Sequence, residues 1–120
     1  MDLELKDLNQ FNGTEIYHKI NLFSFANLTD GIIYIMENGY SWFVTDSLAV
    51  IGEKFKDAEF LAVKLKVKDS KAVVTYEDGN ENILYEQKYE YTDAEKDLTL
   101  FYQNGVLFLS QEYWLECKKR

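Results

Sequence analysis

The sequence contains no proline, one cysteine and one histidine in 120 residues. Because Cys117 has no second cysteine to pair with, an internal disulfide and any multi-cysteine metal site are excluded. His18 cannot form a two-histidine metal site, and its neighbours Tyr17 and Lys19 favour a structural or exposed role. The glycines form no phosphate-binding motif. We therefore expect no catalytic residue, no metal and no cofactor, and leave open only chemistry by carboxylates alone.

Long hydrophobic runs are also lacking. The longest apolar stretches fall well short of the roughly 20 residues that a membrane-spanning helix needs. Residues 1–10 alternate acids with leucines and lack the basic and apolar regions of a secretory signal. The sequence thus predicts a cytoplasmic protein without a membrane partner. Its length is typical of one domain, residues 1–120, and 47% hydrophobic residues give it enough apolar surface to fold.

Basic residues are few. The sequence has 13 lysines and arginines against 21 aspartates and glutamates, which gives a formal charge of −8. This charge disfavours direct nucleic-acid binding through phosphates. Residues 77–97 hold eight acids and two lysines, a net charge of −6, and a basic stripe at residues 64–71 precedes them. Two interpretations remain open. The segments are either solvated faces of neighbouring strands that attract each other, or the acids face a partner.

Aromatic residues are abundant, with nine tyrosines, eight phenylalanines and two tryptophans. Tyrosine and tryptophan are enriched at protein interfaces because they combine a large contact area with a hydrogen-bonding group. Together with the acids they suggest a surface for a partner protein that is itself basic. The predicted partner-binding residues are Glu77, Asp78, Glu81, Glu86, Glu90, Asp93, Glu95, Tyr113 and Trp114. The alternative is a pocket for a small molecule or nucleotide signal, lined by Tyr34, Tyr40, Trp42, Tyr85 and Tyr89.

The first half of the chain has mainly helical spacing. Residues 3–11 predict a short helix, and residues 16–28 predict a loop or irregular structure. A second helix is expected to begin with Thr29 or Asp30 as its cap and to stop at Gly39. The third and longest predicted helix has Ser41 as its cap and an apolar stripe of Val44, Leu48, Ile51 and Phe55.

The second half has the period-2 alternation of half-buried strands. The predicted strands cover residues 61–68, 71–76, 82–91, 98–103 and 106–109. The last two are joined by Asn104-Gly105, a strong hairpin signal that pairs Gln103 with Val106. The predicted fold is therefore α+β, with N-terminal helices packed on one face of a roughly five-stranded antiparallel meander.

Several segments also carry a family resemblance. They are LNQFNGTEIY (8–17), TDGIIYIMENGYSWFVTD (29–46), YEDGNEN (76–82), YTD (91–93) and NGVLFLSQEY (104–113). In this order and spacing they resemble a small family of bacterial, plasmid and phage proteins classed only as a domain of unknown function. The resemblance implies a bacterial host and a distribution on mobile elements, and it brings no activity or catalytic residue. The sequence departs from the family pattern in its acidic segment before Tyr91 and in residues 114–120.

The leading hypothesis is therefore a small acidic, non-enzymatic protein that binds a basic surface of another protein. If a phage or another mobile element encodes it, a concrete version is an inhibitor of a host defence protein. Its carboxylates would stand in for the phosphates of nucleic acid, and complementary charge would speed the association.

Overall fold

A six-stranded mixed sheet and one kinked helical segment make up the described part of the chain. The computed structural model describes residues 25–80 and 82–112. The helix predicted at residues 3–11 lies outside these ranges, as do Glu81, Tyr113 and Trp114. The strands are β1 (Asn27–Leu28), β2 (Phe60–Lys68), β3 (Lys71–Glu77), β4 (Ile83–Tyr89), β5 (Leu98–Gln103) and β6 (Val106–Leu109).

The strands are arranged in the order β1-β6-β5-β2-β3-β4. Only β1 and β6 pair in parallel, and every other pair in this sheet is antiparallel. The predicted α+β class is confirmed, but the five-stranded meander is wrong, because β5 pairs with β2 and not with β4. The observed order agrees with the polarity of the strands. The apolar β5 and β6 lie inside the sheet, whereas β4, which carries Glu86 and Lys88, lies at an edge where charges stay hydrated.

The hairpin at Asn104-Gly105 is confirmed in its register. Gln103 lies opposite Val106, as predicted from the two-residue turn. Both turn residues have positive φ angles, 53° and 74°, which a turn of this length requires. Asn27–Leu28 forms the short strand β1, in a region predicted to be a loop or irregular, because two residues are too few to show an alternation.

One helical segment runs over residues 30–55 of the described ranges, in place of the separate N-terminal helices that were predicted. It contains α1 (Asp30–Ile35) and α2 (Ser41–Val50), and a wider helical turn, Ile51–Phe55, follows α2. The predicted stop at Gly39 is a kink, since Gly39 has a φ of 99° and the helix resumes directly after it. Ser41 is not a cap, because Tyr40 holds that position without a side-chain hydrogen bond.

The core lies between this helical segment and one side of the sheet. Its largest fully buried side chains include Ile32, Ile35, Phe43, Leu48 and Ile51 from the helical segment and Leu61, Leu65, Tyr76 and Tyr102 from the sheet. The alternation along β2 places Leu61, Val63 and Leu65 in the core and leaves Lys66 and Lys68 exposed on the other side, as predicted.

A buried glutamate connects the start of α1 to the end of the sheet. The Glu112 carboxylate is 1% exposed and accepts hydrogen bonds from Thr29 Oγ1 (2.7 Å), Gly31 N (3.3 Å) and Leu109 N (2.9 Å). Thr29, one of the two predicted caps, is also the N-cap of α1, because its Oγ1 accepts a hydrogen bond from Ile32 N at 3.4 Å. Glu112 thus satisfies backbone donors that burial would otherwise leave without an acceptor.

Candidate binding site beside the edge strand

The edge strand β4 has two chemically different sides. Tyr85, Gln87 and Tyr89 are partly buried and point towards the helical segment, whereas Glu86 and Lys88 are exposed on the opposite side. The Tyr76 hydroxyl donates a hydrogen bond to Gln87 Oε1 at 3.0 Å, which fixes the amide beneath the helical segment. Burial raises the pKa of the Tyr76 phenol far above its usual range, so this donor keeps its proton.

The helix α2 contributes one carboxylate and one tryptophan to the same region. The Tyr89 hydroxyl donates a hydrogen bond to Asp46 Oδ2 at 2.7 Å. The rings of Trp42 and Tyr89 meet edge to face, with centroids 5.2 Å apart. Burial, followed by the nearby Asp46 carboxylate, raises the pKa of the Tyr89 phenol well above its usual range. Tyr89 therefore remains a hydrogen-bond donor and is unsuited to act as a base at neutral pH.

Two adjoining depressions lie on this side of β4. The first, which we name the β4 groove, has a volume of about 480 Å³ and separates β4 from α2 and the turn after it. Its lining includes Asp46, Val50, Glu53, Lys54, Tyr85, Gln87 and Tyr89. The second, the Tyr91 pocket, has a volume of about 320 Å³ and is lined by Trp42, Asp46, Tyr89, Tyr91, Thr92 and Asp93. Asp46 and Tyr89 form a shared wall.

The structure divides the predicted acidic surface into two groups. Glu77 pairs with Lys64 at 3.0 Å, and Glu86 lies 3.9 Å from Lys88 on its own strand. Asp78 holds its own loop, since its carboxylate accepts hydrogen bonds from Asn80 N and from the backbone and side chain of Asn82. These three acids therefore have local partners. The ion pair between Lys64 on β2 and Glu77 on β3 agrees with the interpretation in which the basic and acidic segments attract each other across neighbouring strands.

The second group lies on the connection from β4 to β5. Glu90, Asp93 and Glu95 are exposed, and no cation of the described ranges lies within 4.0 Å of their carboxylates. Asp93 lines the Tyr91 pocket, and the other two are close to it along the chain. The predicted acidic surface therefore narrows to Glu90, Asp93 and Glu95 on this connection.

The predicted aromatic pocket is brought together only in part. Trp42, Tyr85 and Tyr89 line the two depressions. Tyr40 is buried, and its hydroxyl accepts a hydrogen bond from Lys96 N at 3.2 Å, so it belongs to the core. Tyr34 is partly buried and lines neither depression. Its place in α1, on the far side of the kink at Gly39, separates it from the tyrosines of β4.

Exposed apolar side chains concentrate on the same strand. In residues 25–80 and 82–112 the exposed large hydrophobic residues are Ile83 (59%), Leu84 (46%) and Tyr91 (74%). All three lie on β4 or directly after it.

Asp46 was not among the predicted site residues, although its position four residues after Trp42 places both on one face of α2.

The described residues show neither a membrane span nor a metal cluster. No helix there is long and apolar enough to cross a bilayer. No group of three or more potential metal-binding side chains comes together within the same ranges.

One family model matches almost the whole sequence. It is DUF6876, described as a family of unknown function, and it matches residues 2–113. The chain belongs to this family. The DUF6876 match covers the helical segment, all six strands and both depressions, and it confirms the resemblance to an uncharacterised domain family. No curated protein and no solved structure matches the chain.

Proposed function

We propose that the chain is a non-enzymatic protein-binding module that holds a basic side chain of its partner in the Tyr91 pocket. The observation that carries the proposal is the composition of this pocket, which combines three aromatic side chains with two carboxylates. The aromatic side chains are Trp42, Tyr89 and Tyr91, and the carboxylates are Asp46 and Asp93.

Each group of the pocket favours a cation. Aromatic ring faces attract arginine and lysine side chains, most strongly where water is partly excluded. Carboxylates accept charge-assisted hydrogen bonds, and arginine can donate two of them at once. Asp46 Oδ2 is held by the Tyr89 hydroxyl, while Asp46 Oδ1 accepts no hydrogen bond from the described residues and is available to a guanidinium group.

The surroundings of the pocket support the same partner. Glu90 and Glu95 are exposed and unpaired within the described ranges, and residues 77–97 carry six of the eight net negative charges of the chain. Such a concentration of charge raises the association rate with a basic surface and makes the rate sensitive to salt. Glu90 and Glu95 therefore act mainly on the rate of encounter, and the pocket acts mainly on the lifetime of the complex.

A short peptide tests the pocket directly. We expect acetyl-Gly-Arg-Gly-amide to cause saturable NMR shifts at the Trp42 indole and at the backbone of residues 91–93. Asp93→Asn should weaken this binding about tenfold, the loss expected for one charge-assisted hydrogen bond.

The matched control is Glu37→Gln, which removes one negative charge from an exposed position on the helical segment. It should leave the peptide affinity within about twofold. An equal loss in both variants would indicate only a general charge effect and would contradict the proposal, as would the absence of saturable shifts.

A finer form of the proposal concerns the partner. We infer from the resemblance to phage and plasmid proteins that the partner is a nucleic-acid-binding protein of a bacterial host, whose basic channel the acidic surface occupies. The complex should then be displaced by a duplex oligonucleotide. It should also be lost when Glu90, Asp93 and Glu95 are changed to lysine. Binding that persists through both treatments would contradict this form.

The β4 groove supports a second candidate function, the binding of a small molecule. The Lys54 ammonium group lies 5.1 Å from the centre of the Tyr85 ring, so an aromatic surface and a cation meet in one groove. This combination suits a nucleotide or another flat, anionic metabolite. A thermal-shift screen against such compounds tests the idea. A flat response, or a shift that survives Tyr85→Ala together with Lys54→Ala, would exclude the groove.

A further inference from the structure

We infer that two copies of this chain join along β4, with the two β4 strands antiparallel and Glu86 of each copy opposite Lys88 of the other. This inference goes beyond the proposed function, since the Tyr91 pocket of each copy can hold a basic side chain with or without a second copy. It is supported by the open edge of β4, by the order of the charges along this strand, and by the places of the exposed apolar side chains.

The first support is the open edge. β4 pairs with β3 on one side, and no strand of the described ranges pairs with its other side. Tyr85 and Gln87 lie opposite Tyr76 and Val74. In an antiparallel pair of strands, only every second residue of β4 exchanges backbone hydrogen bonds with β3. The backbone N–H and C=O groups of the residues between them point outwards, away from β3.

The turn between β2 and β3 determines which residues of β4 form hydrogen bonds with β3. The two-residue turn between β2 and β3 makes Lys68 and Lys71 a hydrogen-bonded pair, so every second residue of β3 from Lys71 bonds to β2. The residues between them bond to β4, and the hydrogen bond from Asp78 N to Asn82 O (3.2 Å) follows the same alternation. The backbone groups of Glu86 and Lys88 therefore point away from β3 and can bond to another strand.

The second support is the charge pattern. Edge strands commonly carry charges that prevent pairing with another chain. On β4 the two exposed charges have opposite signs and lie two residues apart, at Glu86 and Lys88. When two β4 strands run antiparallel about a two-fold axis at Gln87, each Glu86 faces a Lys88 of the other copy. The edge is thus complementary to itself, and the contact is of the closed, two-fold kind.

The third support is the position of the apolar side chains. Ile83 and Leu84 begin β4, and Tyr91 follows its end. Antiparallel pairing about Gln87 brings the beginning of one β4 to the end of the other. Ile83 and Leu84 of each copy would then lie against the end of β4 of the other copy and be covered there, beside Tyr91, whose ring remains in the wall of its pocket.

The two-fold arrangement also determines on which side of the joined sheet the two Tyr91 pockets open. A two-fold axis between antiparallel neighbours stands perpendicular to the sheet, so both helical segments lie on the same side of one continuous sheet. The two Tyr91 pockets would open on this common side. A partner with two basic side chains could then contact both copies at once, which raises the overall affinity without any new contact within either pocket.

Charge reversal at the two facing positions tests the register. We expect the wild-type chain to sediment at twice the mass of one chain at about 100 μM. Glu86→Lys and Lys88→Glu should each place like charges opposite one another in both halves of the contact, and each variant alone should sediment as a single chain. Mixing the two variants restores opposite charges at every facing position, so the mixture should again form dimers.

Exposed charges elsewhere provide matched controls. Glu37→Lys and Lys56→Glu make the same changes in charge away from β4, and both variants should remain dimeric. Circular dichroism checks that all four variants are folded. A wild-type chain that sediments as a single chain at 100 μM overturns the inference. So do dimers that survive both changes on β4, or a mixture that stays monomeric.

Discussion

Replacing the buried glutamate, Glu112→Ala, should lower the free energy of unfolding by about 3–5 kcal/mol. The change removes the acceptor of three donors, Thr29 Oγ1, Gly31 N and Leu109 N. A buried donor left without an acceptor costs about 1–3 kcal/mol, and backbone donors cannot turn away to find another. Unfolding in urea, followed by circular dichroism, measures the loss.

The exposed neighbour Gln111 provides the matched control. Gln111→Ala should change the stability by less than about 0.5 kcal/mol, as is usual for surface positions. Glu112→Gln keeps the shape of the side chain and should lose less than Glu112→Ala. A Glu112→Ala variant within 1 kcal/mol of wild type would show that water or another group satisfies the three donors.

The substitution Gly31→Ala tests the contact between Gly31 and the Glu112 carboxylate from the other side, because its effect on stability should depend on whether Glu112 is present. A Cβ atom added at Gly31 would lie 2.5 Å from Glu112 Oε1, so Gly31→Ala must displace the carboxylate and should destabilise the wild-type chain. In the Glu112→Ala background this obstacle is gone, and alanine is the better helix former by about 1 kcal/mol. Gly31→Ala should then be neutral or stabilising.

Alkaline pH should destabilise the fold through the buried tyrosines. Burial raises the pKa of Tyr76 in the folded chain, whereas the unfolded chain ionises its tyrosines near pH 10. The contribution of the Tyr76 phenol to the free energy of unfolding is therefore fully present below about pH 10, and it is lost as the pH rises above this value. The loss reaches up to about 1.4 kcal/mol per pH unit while Tyr76 stays protonated in the folded state.

The Tyr76→Phe variant isolates this effect. At pH 7 it should be less stable than wild type by about 1 kcal/mol, because the hydrogen bond to Gln87 is lost. This difference should shrink and then reverse between pH 10 and about pH 11.5, because phenylalanine cannot ionise. Val74→Ala, a buried change on the same strand, should show a difference that does not depend on pH. A constant difference for Tyr76→Phe would contradict the prediction.

Local patterns predicted the individual elements well. The alternation of leucine and valine with lysine along β2 and the turn at Asn104-Gly105 specify strand, buried side and register through contacts close in sequence. The capping role of Thr29, one of the two residues expected at that position, follows from the backbone preference of a single residue in the same way. These features depend on few neighbours, so the sequence alone was enough.

The order of the strands was not accessible in this way. Alternation tells which side of β5 is buried, but the choice between β2 and β4 as its neighbour depends on how two distant apolar surfaces fit together. The site was predicted only in part for the same reason. Sequence reasoning identified Trp42, Tyr85 and Tyr89, yet it treated the acids as one surface. It could not foresee that Asp46 faces Tyr89, and it predicted an attraction between the basic stripe and the acidic segment without identifying Lys64 and Glu77 as a pair.

Glu112 shows why composition alone misleads about acids. In the sequence it looks like any other carboxylate near the end of a negatively charged chain. Its burial becomes apparent only when β6 brings Leu109 beside the start of the helical segment. An acid with several backbone donors around it is part of the framework, so the acidic character available to a partner is smaller than the formal charge suggests.

The hydrogen bond between Thr29 and Glu112 joins residues 83 positions apart and closes a loop that includes β2, β3, β4 and β5. Closing so long a loop has a high entropic cost, which is recovered only after most of the sheet has formed. We therefore expect the start of α1 to be stabilised late in folding, by contacts that connect both ends of the described chain. Helix and sheet should consequently lose their structure in one cooperative transition. The circular dichroism of the helix and the fluorescence of Trp42, measured in a Trp114→Phe variant, should report the same midpoint.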